Sequence, residues 1–242
     1  MLIIDRVSKK FNVNGKEKIA VDNVSIKIKK GETVCIVGPN GAGKTTTVKI
    51  CSGFVLPDSG NVYYDSISLL NRKKYLEKIS VLFEGIRSIN WVLTPLENME
   101  YLSGLRGIKK NKKDIEKYIE MFELGDYKNQ QCNSLSRGNQ QKVAIACCLC
   151  LETDVVFMDE PTLGLDMEIS HKIIKILKTY AQTNKKIFVI TTHDSDFIEE
   201  IADKVLIIEK GKIMFEGSCE KFKTVQNTNT FKEAYLKYRG VL

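Results

Sequence analysis

The run Gly38-Pro39-Asn40-Gly41-Ala42-Gly43-Lys44-Thr45 constrains the fold more than any other part of the chain. It fits GxxxxGK[ST], behind an apolar β-branched stretch at residues 33–37 and ahead of a helical pattern. Glycines let the backbone curl so that successive N–H groups point inward at phosphate oxygens. A helix starting near Gly43 adds the positive end of its dipole. In such a loop Lys44 reaches the β- and γ-phosphates of a nucleotide and the Thr45 hydroxyl ligates magnesium. Thr46 follows directly and belongs to the same cradle.

A site of this kind needs a carboxylate at a strand end. Residues 155–158 are apolar and deliver Asp159 to the magnesium shell. Glu160 comes next, placed to polarise an attacking water. An acidic pair after a strand is weak on its own and strong behind a sound phosphate loop.

Apolar runs alternate with helical patterns, which predicts an α/β fold. Residues 2–7, 20–27 and 61–64 read as antiparallel strands flanking the first central strand at 33–37. Central strands are expected at 80–83, 155–158 and 187–191, and a hairpin at 204–208 and 213–215 around Lys210-Gly211. Residues 85–150 read as a helical lobe inserted into a core of residues 1–84 and 151–242, all within one domain, 1–242. Thr94-Pro95-Leu96-Glu97 opens one lobe helix with a capping box. Phe231, Ala234, Tyr235 and Tyr238 fall on one face of a short terminal helix.

The composition, 43% hydrophobic and 28% charged, is that of a globular chain able to bury a core without staples. No apolar run approaches the roughly 20 residues of a membrane-spanning helix, so a pore, if one is served, must come from another chain. Met1-Leu2-Ile3-Ile4 runs straight into Asp5 and Arg6, which leaves no apolar signal core. Of seven cysteines, Cys147, Cys148 and Cys150 cluster as CCxC and read as buried small apolar residues on a helix. The net charge of +7 suits nucleic acid, an anionic membrane leaflet or simply a solvated lysine face. The Lys109-Lys110-Asn111-Lys112-Lys113 run has no interleaved aromatics, which argues against nucleic acid.

Leu135-Ser136-Arg137-Gly138-Asn139-Gln140-Gln141-Lys142 narrows the choice among phosphate-loop proteins. It resembles the LSGGQ signature of ABC ATPases. Phe11, Glu84, residues 161–166 and His193 stand, in order, where that family has its adenine-stacking aromatic, Q-loop, D-loop and switch histidine. The resemblance spans nearly the whole chain. It implies a P-loop core with an N-terminal antiparallel β subdomain and an inserted helical lobe. It implies that Phe11 stacks on adenine, although plain packing is the blander reading. Ser136, Gly138 and Asn139 would meet the γ-phosphate held by a second ATP-binding subunit, and His193 would touch and sense that phosphate. Asp166 would link the two sites, although a helix cap is also open to it.

Two departures stand out. Arg137 and Asn139 replace the first glycine and the final glutamine of the signature, while Ser136 and Gly138 are kept. Glu84 replaces the usual glutamine, and as a carboxylate it can still ligate magnesium. Glu84 together with Asn90-Trp91-Val92-Leu93-Thr94-Pro95-Leu96-Glu97-Asn98 resembles the exporter branch that serves drugs, antibiotics and lantibiotic immunity. The expected protein is thus the ATP-hydrolysing subunit of an ABC transporter. It would use ATP and Mg2+, pair with a second copy and with transmembrane permease subunits, and lie peripherally on the cytoplasmic face of the cell membrane. A soluble ABC ATPase acting on ribosomes or DNA, or a non-hydrolysing binder, are the alternatives. The first normally needs two such domains or a long coiled coil, and the second lacks the full set Lys44, Asp159, Glu160 and His193.

Overall fold

A computed structural model describes residues 1–85 and 88–241. Two residues of the expected lobe, 86 and 87, and the terminal residue 242 lie outside the described residues. Two sheets organise the molecule. The smaller is antiparallel, in the order β2 (Lys16–Ile28), β1 (Leu2–Val13), β4 (Ser59–Tyr64), β5 (Ile67–Ser68). The larger has the order β10 (Lys212–Gly217), β9 (Lys204–Glu209), β3 (Thr33–Val37), β8 (Ile187–Thr191), β7 (Val155–Asp159), β6 (Ile79–Leu82). All its pairings are parallel except β10 on β9.

The strands of the larger sheet are buried on both faces, which is why their sequence reads as unbroken apolar runs. Val155 and Phe157 face a core shared with β1, β2 and α1 (Lys44–Cys51). Val156 and Met158 face the opposite core, shared with the helical lobe. That lobe comprises α3 (Pro95–Leu105), α4 (Lys112–Met121) and α5 (Arg137–Cys150). The Thr94 hydroxyl accepts from the Glu97 N–H and the Glu97 carboxylate accepts from the Thr94 N–H, so the expected capping box is formed. Cys147, Cys148 and Cys150 are buried and free on α5, and burial pushes the Cys148 thiol up to about 11. They are inert filling, as read from the sequence.

Three expectations change. The strand expected among the central ones at 80–83 is β6, which sits at the sheet edge. At its first residue the Arg106 guanidinium, from the end of α3, donates to Ile79 O, and also to Leu76 O at 2.9 Å, tying the helical lobe to the start of this edge strand. Next, strands β1 and β2 run far beyond 2–7 and 20–27 and close at Asn14-Gly15, both with positive φ (52° and 78°). That is the two-residue turn chemistry of a hairpin, legible in the sequence but not used. Last, the Lys109–Lys113 run is not simply a solvated face. Lys110 is half-buried, its ammonium 2.8 Å from Glu152, which also receives Lys117 at 2.6 Å and the Tyr118 hydroxyl at 3.0 Å. Burial raises the Glu152 pKa, and these donors overcome it and hold the carboxyl at about 2.

Helix α3 carries Gly104 near its end, exposed, with nothing within 4 Å of where a Cβ would stand. Gly104→Ala should therefore stabilise by about 0.5–1 kcal/mol, because alanine loses less backbone freedom on folding. Thermal unfolding should shift upward by roughly 1–4 °C for a chain of this size. A decrease would show that the site is closed by something the open space does not suggest.

The remaining helices are α2 (Arg72–Leu76), α6 (Met167–Asn184), α7 (Ser195–Ile201), α8 (Cys219–Gln226) and α9 (Phe231–Tyr238). Phe231 and Ala234 of α9 are buried against the core, with Tyr235 and Tyr238 packed beside them, as the periodicity predicts.

Candidate nucleotide site

The loop from Gly38 to Thr45 is wedged between the two sheets. A Cβ on Gly38 would stand 2.1 Å from Ile208 O of β9, and one on Gly43 would stand 2.2 Å from Ala20 O of β2. Only glycine permits either approach. Gly43 takes φ +108° as it caps α1, and Gly211 N–H of the β9–β10 turn donates to Ala42 O at 2.8 Å. The loop is thus clamped by three elements distant in sequence, with its tip, Asn40 and Gly41, left open.

Beside the loop lies an open cleft of about 340 Å³. Asn40 through Thr46 form its floor, Phe11 and Glu84 border it, and Asp159, Glu160 and His193 close its far wall. Phe11 is 39% exposed, an aromatic held partly in solvent rather than packed away. Val13, Lys18 and Ala20 also line the cleft, and sequence reasoning missed them. The hairpin register explains their presence, since Phe11 pairs directly with Lys18.

Asp159 is buried at the end of β7. Its Oδ1 accepts from the Thr45 hydroxyl at 3.2 Å and from the Thr191 hydroxyl. Glu160 follows in the left-handed region, φ +51°, with its N–H donating to Thr191 O at 3.0 Å. A non-glycine residue held there costs of order 1–3 kcal/mol and tends to mark function. That backbone turn aims the Glu160 carboxylate back into the cleft, where Oε1 lies 3.3 Å from His193 Nε2. Lys44 donates to Gly38 O at 2.7 Å and Pro39 O at 3.2 Å, and its Nζ is 3.1 Å from the same His193 nitrogen. The carbonyls of Gly38 and Pro39 therefore hold the lysine, while those two residues stay off the cleft wall.

The charges tune one another. Burial raises the Glu160 pKa; Lys44 opposes this, and Asp159 and Glu84 add to it. Burial lowers Lys44, with Glu160 and Asp159 resisting. His193 is lowered by burial and by Lys44, so its ring is neutral near pH 7. One Nε2 cannot both accept from Lys44 and donate to Glu160. Next to an ammonium the acceptor role is favoured, so the Glu160 approach is a contact and not an ion pair.

Thr45, Asp159 and Glu84 offer hard oxygen donors that suit magnesium. Among the described residues no group of three or more His, Cys, Asp or Glu could hold a metal alone. The donor set therefore fits a cation that arrives with phosphate oxygens to complete its shell.

The signature residues stand apart from this cleft. Ser136 caps α5, its Oγ accepting from Asn139 N–H at 3.3 Å, and its side chain is exposed. Arg137 donates to Leu163 O at 3.3 Å and Gln141 to Pro161 O at 2.8 Å. Gly138 is buried beneath α6, where a Cβ would lie 2.5 Å from Ile169 Cδ1. A methyl there would push the Ile169 side chain aside, a close helix contact that sequence reasoning did not foresee. Asp166 caps α6, accepting from Ile169 N–H at 2.8 Å. Ser136, Gly138, Asn139 and Asp166 do not line the cleft.

Comparison with known proteins agrees with this layout. A family profile described as "ABC transporter" matches residues 21–163. The chain is 37% identical over 226 residues to the methionine import ATP-binding protein MetN 1 of Listeria monocytogenes, covering 90% of itself and 66% of that protein. It therefore spans slightly under two thirds of that relative's length. Over the full length of both chains it is 31% identical to the ABC transporter ATP-binding protein NatA of Bacillus subtilis. Among solved structures, a dimeric post-hydrolysis state of the ATP-binding cassette MJ0796, bound to ADP and Pi, superposes with TM-score 0.81 at 30% identity, over 90% of this chain and 98% of that one. The fold, the phosphate loop and the signature lobe all agree with these relatives, and the chain belongs to the ABC transporter family as one of its ATP-binding ATPase domains.

Proposed function

We propose that this chain binds ATP with magnesium in the cleft and hydrolyses it between two copies of itself, driving transport through separate membrane-spanning subunits. One observation carries the reading: the cleft is walled on one side by Lys44, Asp159, Glu160 and His193, while the exposed Ser136 cap lies outside it. A second copy would bring its Ser136 hydroxyl and α5 N-terminus to the open side, where they make an anion site.

In this reading Phe11 stacks on adenine, and the N–H groups of Gly41 through Thr46 hold the phosphates. Lys44 exchanges the Gly38 and Pro39 carbonyls for phosphate oxygens. Thr45, Asp159 and Glu84 would hold the magnesium ion, which would supply charge neutralisation at the phosphates. Glu160 polarises the water that attacks the γ-phosphorus in line. His193 contacts the γ-phosphate, and its loss on hydrolysis releases the bridge to the partner's signature. Asp166 then serves contact between the two sites in addition to capping α6.

If each site needs a partner, phosphate release per chain should rise with protein concentration at the dilute end and level off once dimers form. A rate per chain independent of concentration, from a species that stays monomeric with ATP, would refute the sandwich. Membrane proteins that co-purify with the chain identify the permease.

The proposed direction is outward, on the resemblance of Glu84 and the Asn90–Asn98 segment to exporters of drugs, antibiotic peptides or lipid-like compounds. Similar proteins named for methionine and for spermidine/putrescine carry "import" in their names, so direction needs its own assay. ATP-dependent uptake into inside-out vesicles supports export, and its absence beside uptake into intact cells removes it. Glu84→Gln tests the carboxylate: ATPase activity should stay within roughly tenfold of the parent, about 1.4 kcal/mol in barrier. A loss of several orders of magnitude would make Glu84 indispensable.

A further inference from the structure

One cation of the cleft has no part in the phosphate loop. Phe11 and Val13 are two apart on β1 and so share a face, and both line the cleft. The register sets Lys18 of β2 directly opposite Phe11, which puts it on that same face, and it lines the cleft as well. Further along β2, Ala20 abuts the phosphate loop: its carbonyl oxygen lies 2.2 Å from where a Cβ on Gly43 would stand. Two residues of strand span roughly 6–7 Å, so Lys18 is rooted between the loop and the aromatic ring. The other lysines beside Phe11 are turned elsewhere. Lys9 lies 2.6 Å from Asp58 and Lys10 3.1 Å from Glu17, and neither lines the cleft. Among the described residues that do, Lys18 and Lys44 are the cations. Lys44 shares its end with carboxylates, since Glu160 interacts with Lys44, Asp159 and Glu84. None of the lining acids comes from the hairpin that carries Lys18.

We propose that Lys18 is a further nucleotide-holding residue, its ammonium meeting the α-phosphate between the base and the phosphate loop. The role rests on the nucleotide reading of the cleft, and on neither a second copy nor hydrolysis. A base stacked on Phe11 and a β-phosphate in the loop leave the sugar and the α-phosphate in the interval beside Lys18. An ammonium on a flexible four-carbon stem is a compact charge that suits a phosphate oxygen. ATP and ADP share the α-phosphate, so the contact strengthens both alike. It also holds ground state and transition state equally, because bond breaking takes place at the γ-phosphorus. Lys18 therefore sets KM and not kcat.

Equilibrium dialysis of the full chain with ATP and with ADP, beside steady-state phosphate release, tests it. Lys18→Gln should weaken both nucleotides by the same factor, roughly five- to tenfold, as for one charge-assisted contact open to water. KM should rise by that factor while kcat stays within about twofold. Lys18→Arg keeps the charge and should recover most of the affinity. Lys16→Gln removes the same charge two positions further along β2 from the loop, at a residue outside the cleft lining, and should bind both nucleotides like the parent. Four results would each overturn the role of Lys18: parental affinity in Lys18→Gln, a loss confined to ATP, a fall in kcat without a rise in KM, or an equal loss from Lys16→Gln. In all four the parent still binds ATP and the cleft keeps its reading. A parent chain that binds neither nucleotide would overturn the nucleotide reading and the role of Lys18 together.

Discussion

Glu160→Gln should bind ATP and lose turnover by about 10²–10⁴-fold, the range for removing a general base. That is about 2.7–5.4 kcal/mol of barrier. The substitution keeps the shape of the side chain and the same left-handed backbone, whose N–H remains bonded to Thr191. What disappears is the carboxylate next to Lys44 and Asp159. With chemistry blocked, ATP should hold two copies together, visible as an ATP-dependent dimer by size exclusion. Near-normal phosphate release would take Glu160 out of the reaction.

The protonation state gives a companion test. Burial raises the Glu160 pKa above the ordinary carboxylate value of 4.5, and the ionised form is the working base. Activity should therefore fall as pH drops through a value above 4.5, and the residual activity of Glu160→Gln should lack that limb. Stability responds to pH in the opposite sense to activity. Ionising a group with a raised folded pKa costs the fold above that range and nothing below it. Glu160→Gln should consequently unfold no earlier than the parent at pH 7. A lower melting temperature would mean the carboxylate is holding structure.

Gly43→Ala is expected to be the most damaging single-methyl change in the phosphate loop, because it combines a positive φ with a backbone clash. At φ +108° an alanine is strained by roughly 1–3 kcal/mol before any contact is considered. Its Cβ would also stand 2.2 Å from Ala20 O, a main-chain atom at a register irregularity of β2, which can yield only by moving the backbone. Either α1 or β2 must move, and each movement opens the phosphate loop. We expect destabilisation of about 3 kcal/mol or more, a melting decrease of roughly 6–12 °C, and at least a hundredfold loss of ATP affinity. Gly41→Ala is the control: φ is +77° but nothing lies within 4 Å of the new methyl. It should cost only about 1–2 kcal/mol, from backbone strain alone. Equal melting temperatures for the two variants would show that the Gly43–Ala20 contact does not govern the loop.

Much of the site was legible because its chemistry is local. Eight consecutive residues make the phosphate cradle, and a five-residue strand delivers Asp159 and Glu160 in one stroke. Spacing of that kind survives without knowledge of the fold. The Asn14-Gly15 turn was equally local, and recognising it would have extended β1 to Phe11 and placed Lys18 opposite. Other features depend on what folding brings near. That Gly138 lies under Ile169, that Arg106 reaches Ile79 O at the start of β6, and that Lys110 meets Glu152 across 42 positions each join segments with no common periodicity.

By itself, then, the sequence determined the class of protein, the phosphate loop, the acidic pair and the separation of a signature lobe, because each is written in neighbouring residues whose backbone or side-chain chemistry is self-contained. The tertiary structure alone decided which glycines are irreplaceable, which nitrogen of which residue meets Lys44, how burial divides charge between Glu160 and His193, and that the cleft has one wall only. Those are properties of distances between strands far apart in the chain, and distance through space is the quantity a sequence does not carry.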